Sequence, residues 1–142
     1  MLSRLKENFV PEFILDLGNA TDSFSKLDEF TQGYVEAMFF TSIDTDEDLF
    51  LASYDEIAPM TLYALVADCE SFQNDNFQCL ALAYDTGYTK ENAGRDYWYT
   101  RNGHGVGFWD RDLGWLGERL TNVSEHLEIN LYRGDDGQLY LM

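Results

Sequence analysis

The chain has 142 residues, 45% of them hydrophobic and 15% aromatic, and sets 26 Asp or Glu against nine Lys or Arg for a net charge of −17. This length and apolar content exclude a wholly disordered chain and fit a single domain, 1–142, that buries roughly two-thirds of its unfolded surface. No uncharged apolar run is long enough to span a bilayer, and the acidity opposes direct binding of nucleic acid or of an anionic membrane.

In residues 1–20, Leu2, Leu5, Phe9, Phe13 and Leu17 keep a near-helical spacing that Pro11 interrupts, and the segment lacks the pattern of a secretory leader. Ser25 is placed to cap a helix in which Leu27, Phe30, Tyr34, Ala37 and Met38 recur every three or four residues. The following "IDTDEDLFLASYDEIA" reads as an acidic loop. Its "DTDED" opens like a calcium loop with Asp44, Asp46 and Asp48 alternating. The pattern then fails, because Leu49 stands where the turn needs Gly and Asp55 where a bidentate Glu belongs, so no metal is expected. Pro59 opens a strongly helical stretch with Leu62, Leu65, Val66, Cys69 and Phe72 on one stripe. We expect one long helix to Gly87, kinked near Asn74–Asn76. Such a helix separates Cys69 and Cys79 by roughly 15 Å, too far for a disulfide.

"RDYWYTRNGHGVGFWDRDLG" (95–114) is the densest cluster of distinctive chemistry. "NGHG" is a strong short hairpin signal, so residues 95–111 are expected to form two strands with Trp98 opposite Trp109 across the pair. Trp98, Arg101, His104, Trp109, Asp110 and Arg111 then offer either a packed core, an aromatic contact surface or a pocket. No Ser or Cys is placed beside His104, so no catalytic residue is assigned, and no cofactor is called for. "LGWLGERLTNVSEHL" reads as a short helix, and "EINLYRGDDGQLYLM" as a second hairpin turning at Asp135-Asp136-Gly137. The fold class expected is α+β: N-terminal helices packed on an antiparallel sheet built from two C-terminal β-hairpins separated by a short helix.

Charge divides the chain. Residues 7–89 hold seventeen carboxylates and one base, Lys26, whereas residues 90–142 hold nine acids and six bases. Solubility needs a net charge of only roughly two to eight, so the excess points to a patch that meets a basic partner. The acidic face is expected to include Asp44, Asp46, Glu47, Asp48, Asp55, Glu56, Asp68, Glu70 and Asp75. Surfaces shaped to hold DNA or RNA are the commonest basic partners, and carboxylates can stand in their grooves in place of phosphates.

"FTQGYVEAMFFTS", "GRDYWYTRNGHGVGFWDRDLG" and "LYRGDDGQLYLM" resemble a family of small acidic proteins encoded by tailed bacteriophages and prophages. The resemblance implies a phage-encoded protein acting in the cytoplasm of the bacterial host, and carries over no catalytic residues. Together these readings predict a non-enzymatic accessory protein that binds and inhibits a basic, nucleic-acid-handling host or defence protein through a DNA-mimicking surface. The alternatives are a small enzyme or ligand-binding domain with its pocket at the 95–111 hairpin, or a virion or morphogenesis component.

Overall fold

The computed structural model of the chain describes residues 24–42, 49 and 52–142. In chain order these form α1 (Glu29–Ser42), a 3-10 turn (Tyr54–Glu56), α2 (Pro59–Asp75), α3 (Phe77–Tyr84), α4 (Lys90–Arg101), a second 3-10 turn (Phe108–Asp110), α5 (Trp115–Val123), β1 (Leu131–Arg133) and β2 (Leu139–Leu141). Five α-helices and one two-stranded antiparallel sheet make the described residues α+β, with helices strongly predominant. Among the described residues no helix is long and apolar enough to cross a membrane.

The expected first hairpin is a helix. Residues 90–101 form α4, and Trp98 and Trp109 are not cross-strand partners. Thr89 caps it by accepting a hydrogen bond from the Asn92 amide at 3.1 Å, which satisfies one of the four amides a helix start leaves unpaired. The buried residues Ala93, Gly94, Tyr97, Trp98 and Arg101 recur at helical intervals. The "Asn-Gly" pair closes this helix instead of turning a hairpin. Asn102 sits at φ −108° and donates its side-chain amide to the Trp98 carbonyl, while Gly103 takes the left-handed conformation at φ +65°. Positive φ serves a helix end as well as a hairpin turn, so the dipeptide alone does not discriminate.

The helix after residue 25 starts later than expected. Its cap is Asp28, whose carboxylate accepts from the Thr31 amide at 2.8 Å, and not Ser25. The long helix from Pro59 divides into α2 and α3 at Asn76. Its backbone (φ −121°, ψ 27°) leaves the helical region while its side-chain amide donates to the Phe72 carbonyl. Cys69 and Cys79 fall on the two separate helices and both are free thiols. The second expected hairpin forms: Leu131 pairs with Leu141, Tyr132 with Tyr140 and Arg133 with Leu139. It is held to the helical body where the Ala58 amide, just before α2, donates to the Leu139 carbonyl at 2.9 Å. The helices therefore pack chiefly on one another and do not rest on a broad sheet.

The centre of the molecule is α1 against α4, crossing at glycine on both sides. A Cβ on Gly33 would lie 2.1 Å from the Glu91 carbonyl oxygen, and one on Gly94 would lie 1.8 Å from that of Phe30. The two backbones touch, and only glycine permits it. Around this crossing runs a column of rings: Phe72 stacks on Tyr97 at 4.0 Å, Phe30 and Phe108 flank Phe72 at 6.0 and 5.9 Å, and Tyr34 meets Trp98 edge-on at 5.3 Å. Each such pair contributes about 0.5–1.5 kcal/mol beyond the area it buries. The Trp98 indole N–H finds its acceptor in Thr41 at 2.9 Å.

Candidate functional site

Arg101 is the residue around which the polar chemistry gathers. Its side chain is only 4% exposed. Nη1 donates to the Asp68 carboxylate at 3.2 Å and to the Tyr34 hydroxyl at 3.1 Å, and Nε donates to the Glu125 carbonyl at 3.3 Å. The guanidinium lies 4.8 Å from the Tyr97 ring centre, where the negative face of the ring favours a cation. Burial pushes the Tyr34 and Tyr97 phenols well above their ordinary range, so both are neutral donors or acceptors near neutral pH. Arg101 is a buried cation held through Nε and Nη1 by partners from its own chain.

Above it opens a cleft of about 190 Å³ lined by Asp68, Ser71, Phe72, Asp75, Asn76, Tyr97, Arg101, Val123 and Glu125. Asp68, Ser71 and Asp75 share one face of α2 because they lie three and four residues apart. Glu125, from the segment after α5, brings a third carboxylate with its oxygen 3.8 Å from Arg101 Nη2. Asp68 and Glu125 thus pair with the one guanidinium, and Asp75 adds the remaining carboxylate of the lining. The cleft carries a net negative charge and suits a cationic group.

The second arginine of the opening cluster is used differently. Arg111 grips Asp96 through Nε and Nη2, with bonds of 2.7–3.1 Å, and Asp96 is 1% exposed. The Tyr88 hydroxyl donates to the same carboxylate at 2.5 Å, and its phenol is pushed up by burial and by the Asp96 charge. This triad pins the loop after α4 to the side of α4 itself. Asp110 accepts from the Gly107 amide at 3.1 Å and so shapes the second 3-10 turn.

The residues expected to form a contact or pocket hairpin are therefore dispersed. Trp98 is core, and Arg101 and Arg111 are bound to different acids on different sides of α4. His104 is exposed in the turn, with its ring 6.4 Å from that of Trp98, and partial desolvation of the ring lowers its pKa. Trp109 is 47% exposed. Of these six, Arg101 alone lines the acidic cleft, so Arg101, His104, Asp110 and Arg111 do not converge on one concave site. The expected acidic face divides too. Asp44, Asp46, Glu47 and Asp48 lie outside the described residues. Asp68 and Asp75 meet in the cleft, whereas Glu70, about 200° around α2 from Asp68, points elsewhere. Asp55 bonds to the Ser53 hydroxyl, and Glu56 is engaged by Arg133 at 3.0 Å.

No family model matches the chain, and no curated protein or solved structure is significantly similar to it.

Sequence reasoning missed Glu125, which reaches Asp68 and Asp75 only through the tertiary fold and carries no local signal. An apolar cavity of about 380 Å³ lined by Phe24, Phe39, Phe40, Leu49 and Tyr54 is a weaker candidate. Its one carboxylate, Glu36, already pairs with Arg95 at 2.8 Å.

Proposed function

We propose that this chain is a non-enzymatic binding protein that engages and blocks a basic, nucleic-acid-handling bacterial protein through its anionic exterior. The resemblance to small acidic phage proteins supplies the setting, a phage-encoded accessory protein in the host cytoplasm. One observation carries the reading: the molecule uses up its own cations internally. Among the described residues there are eighteen carboxylates and seven Lys or Arg. Arg95, Arg101, Arg111 and Arg133 are bound to Glu36, Asp68 with Glu125, Asp96 and Glu56. Beyond these pairs the described residues hold thirteen further carboxylates and far fewer Lys or Arg. A surface so poor in positive charge repels nucleic acid and steers cationic proteins toward it.

Capture of partners from bacterial lysate on the immobilised chain tests this. At about 50 mM salt the retained proteins should be basic and nucleic-acid-binding, should elute as salt rises toward about 0.5 M, and should be displaced by added duplex DNA. Partners that hold at high salt, or that bind duplex DNA and this chain together, overturn the reading.

A further inference from the structure

The face of α2 that carries Asp68 and Asp75 continues toward the start of that helix. Met60, Ala64, Asp68, Ser71 and Asp75 are spaced by three and four residues and fall within an arc of about 80°. The earlier part of this face lines a second cleft, of about 340 Å³, together with Tyr34, Leu65, Ile129, Tyr140 and Leu141. Asp68 lines both clefts, so the two adjoin at this residue. They differ in chemistry. The Met60–Leu141 cleft is walled mainly by aliphatic and aromatic side chains, with Met60 74% exposed at its rim, whereas the smaller cleft is lined by Asp68, Asp75 and Glu125. From Met60 to Asp75 the helix rises roughly 22 Å, the length of six or seven extended residues, approximately.

We propose that this composite groove receives one extended segment of the partner protein, with apolar side chains in the Met60–Leu141 half and a Lys or Arg among Asp68, Asp75 and Glu125. The proposal rests on the reading of a cationic protein partner and specifies which part of the surface recognises it. Charge complementarity selects the occupant. The acidic half holds three carboxylates against a guanidinium that is itself buried, so an incoming cation meets net negative charge. Among the described residues no three carboxylate, His or Cys groups are close enough to hold a metal ion. The spacing instead suits a cation on a long flexible stem, whose methylenes can lie along the Phe72 and Tyr97 rings that floor the cleft. The apolar half adds what an all-acidic surface lacks, a place for leucine-like side chains beside the charge.

The test is fluorescence anisotropy with three labelled peptides of about eight residues: one apolar at one end with two arginines at the other, one of lysine and glycine with equal charge, and one apolar and uncharged. The amphipathic cationic peptide should bind at least about tenfold more tightly than either of the others. The double variant Asp75→Asn/Glu125→Gln should weaken it about tenfold, and Ala64→Trp, which fills the apolar half, should weaken it comparably. Both sites are exposed, and circular dichroism checks that the variants stay folded. The control Glu118→Gln/Asp135→Asn removes the same charge elsewhere and should leave affinity within about twofold. If the two cationic peptides bind equally, and both double variants weaken them equally, the groove is refuted while the general electrostatic reading stands. If neither cationic peptide binds even at low salt, both fall together.

Discussion

Asp96 and Arg111 show how one ion pair is tied to the stability of this fold. Asp96 is inaccessible while the side chain of Arg111 is 37% exposed, so removal of the arginine leaves a buried carboxylate with Tyr88 as its one remaining side-chain partner among the described residues. Breaking a fully buried pair costs about 3–5 kcal/mol, and the partial exposure of Arg111 lowers the expected loss for Arg111→Ala to about 2–3 kcal/mol. Arg111→Lys should recover only part of this, since a single ammonium cannot reproduce the two-nitrogen grip. Urea denaturation of the two variants checks both statements. Glu56 makes a separate, pH-dependent contribution. The hydrogen bond from Arg133, and a second from the Ser53 amide, hold its carboxyl below the ordinary value of 4.5. A carboxyl lowered in the folded state stabilises above its unfolded pKa, and that stabilisation disappears as pH falls through the lower folded value. The difference in stability between the wild type and Glu56→Gln should therefore be largest near neutrality and shrink below about pH 4.5. A difference that stays constant from about pH 6 to about pH 3 excludes this role.

At the level of elements, the crossing of α1 and α4 is the most sensitive point. Neither Gly33→Ala nor Gly94→Ala can be accommodated by a side-chain rotation, because the added methyl meets a carbonyl oxygen of the partner helix. The helices must move apart, and the ring column of Phe72, Tyr97 and Phe30 opens with them. Overpacking typically costs about 1–3 kcal/mol, and contact with backbone on both sides puts these two at or above the upper end. Elsewhere, Gly→Ala in a helix stabilises by roughly 0.4–1 kcal/mol, so the sign of the change is diagnostic. Thermal unfolding of either variant measures it, and an unchanged or raised midpoint excludes the close crossing. The same crossing explains why α4 is hard to read in advance. A glycine and three aromatic rings within 94–99 have low intrinsic helix propensity, and burial against α1 overrides that preference.

For the whole molecule, the charge on which the proposed binding rests also opposes folding. With a net charge of −17, the unpaired carboxylates repel one another at a distance, whereas the arginine pairs act at contact. Raising salt from about 10 mM to about 1 M shortens the screening length from roughly 30 Å to roughly 3 Å. It removes the long-range repulsion and screens the partly buried pairs of Arg101 and Asp96 much less. The midpoint of thermal unfolding should therefore rise with sodium chloride while binding of cationic peptides weakens. A midpoint that falls shows that ion pairs outweigh the repulsion. The division of charge along the chain is also rearranged in space. Arg95, Arg101 and Arg133 from the balanced part reach Glu36, Asp68 and Glu56 in the base-poor part.

The sequence by itself determined the charge excess, the helices at 29–42, 59–84 and 115–123 in outline, and the closing strand pair, because periodicity, Pro59 and the Asp-Asp-Gly turn act over a few residues. The state of residues 90–111 was decided only by tertiary structure. Their aromatic, glycine-punctuated composition suits a hairpin locally, and the backbone contact of Gly94 with α1 and the pairing of Arg101 and Arg111 with distant acids make it a helix and a turn. Which carboxylates meet was decided there as well. Spacing reveals that Asp68 and Asp75 share a helical face and that Glu70 lies off it, but Glu125 joins them only when α2 packs beside the segment that follows α5. Contacts that span dozens of residues have no local signature, and here they decide which carboxylates the arginines neutralise.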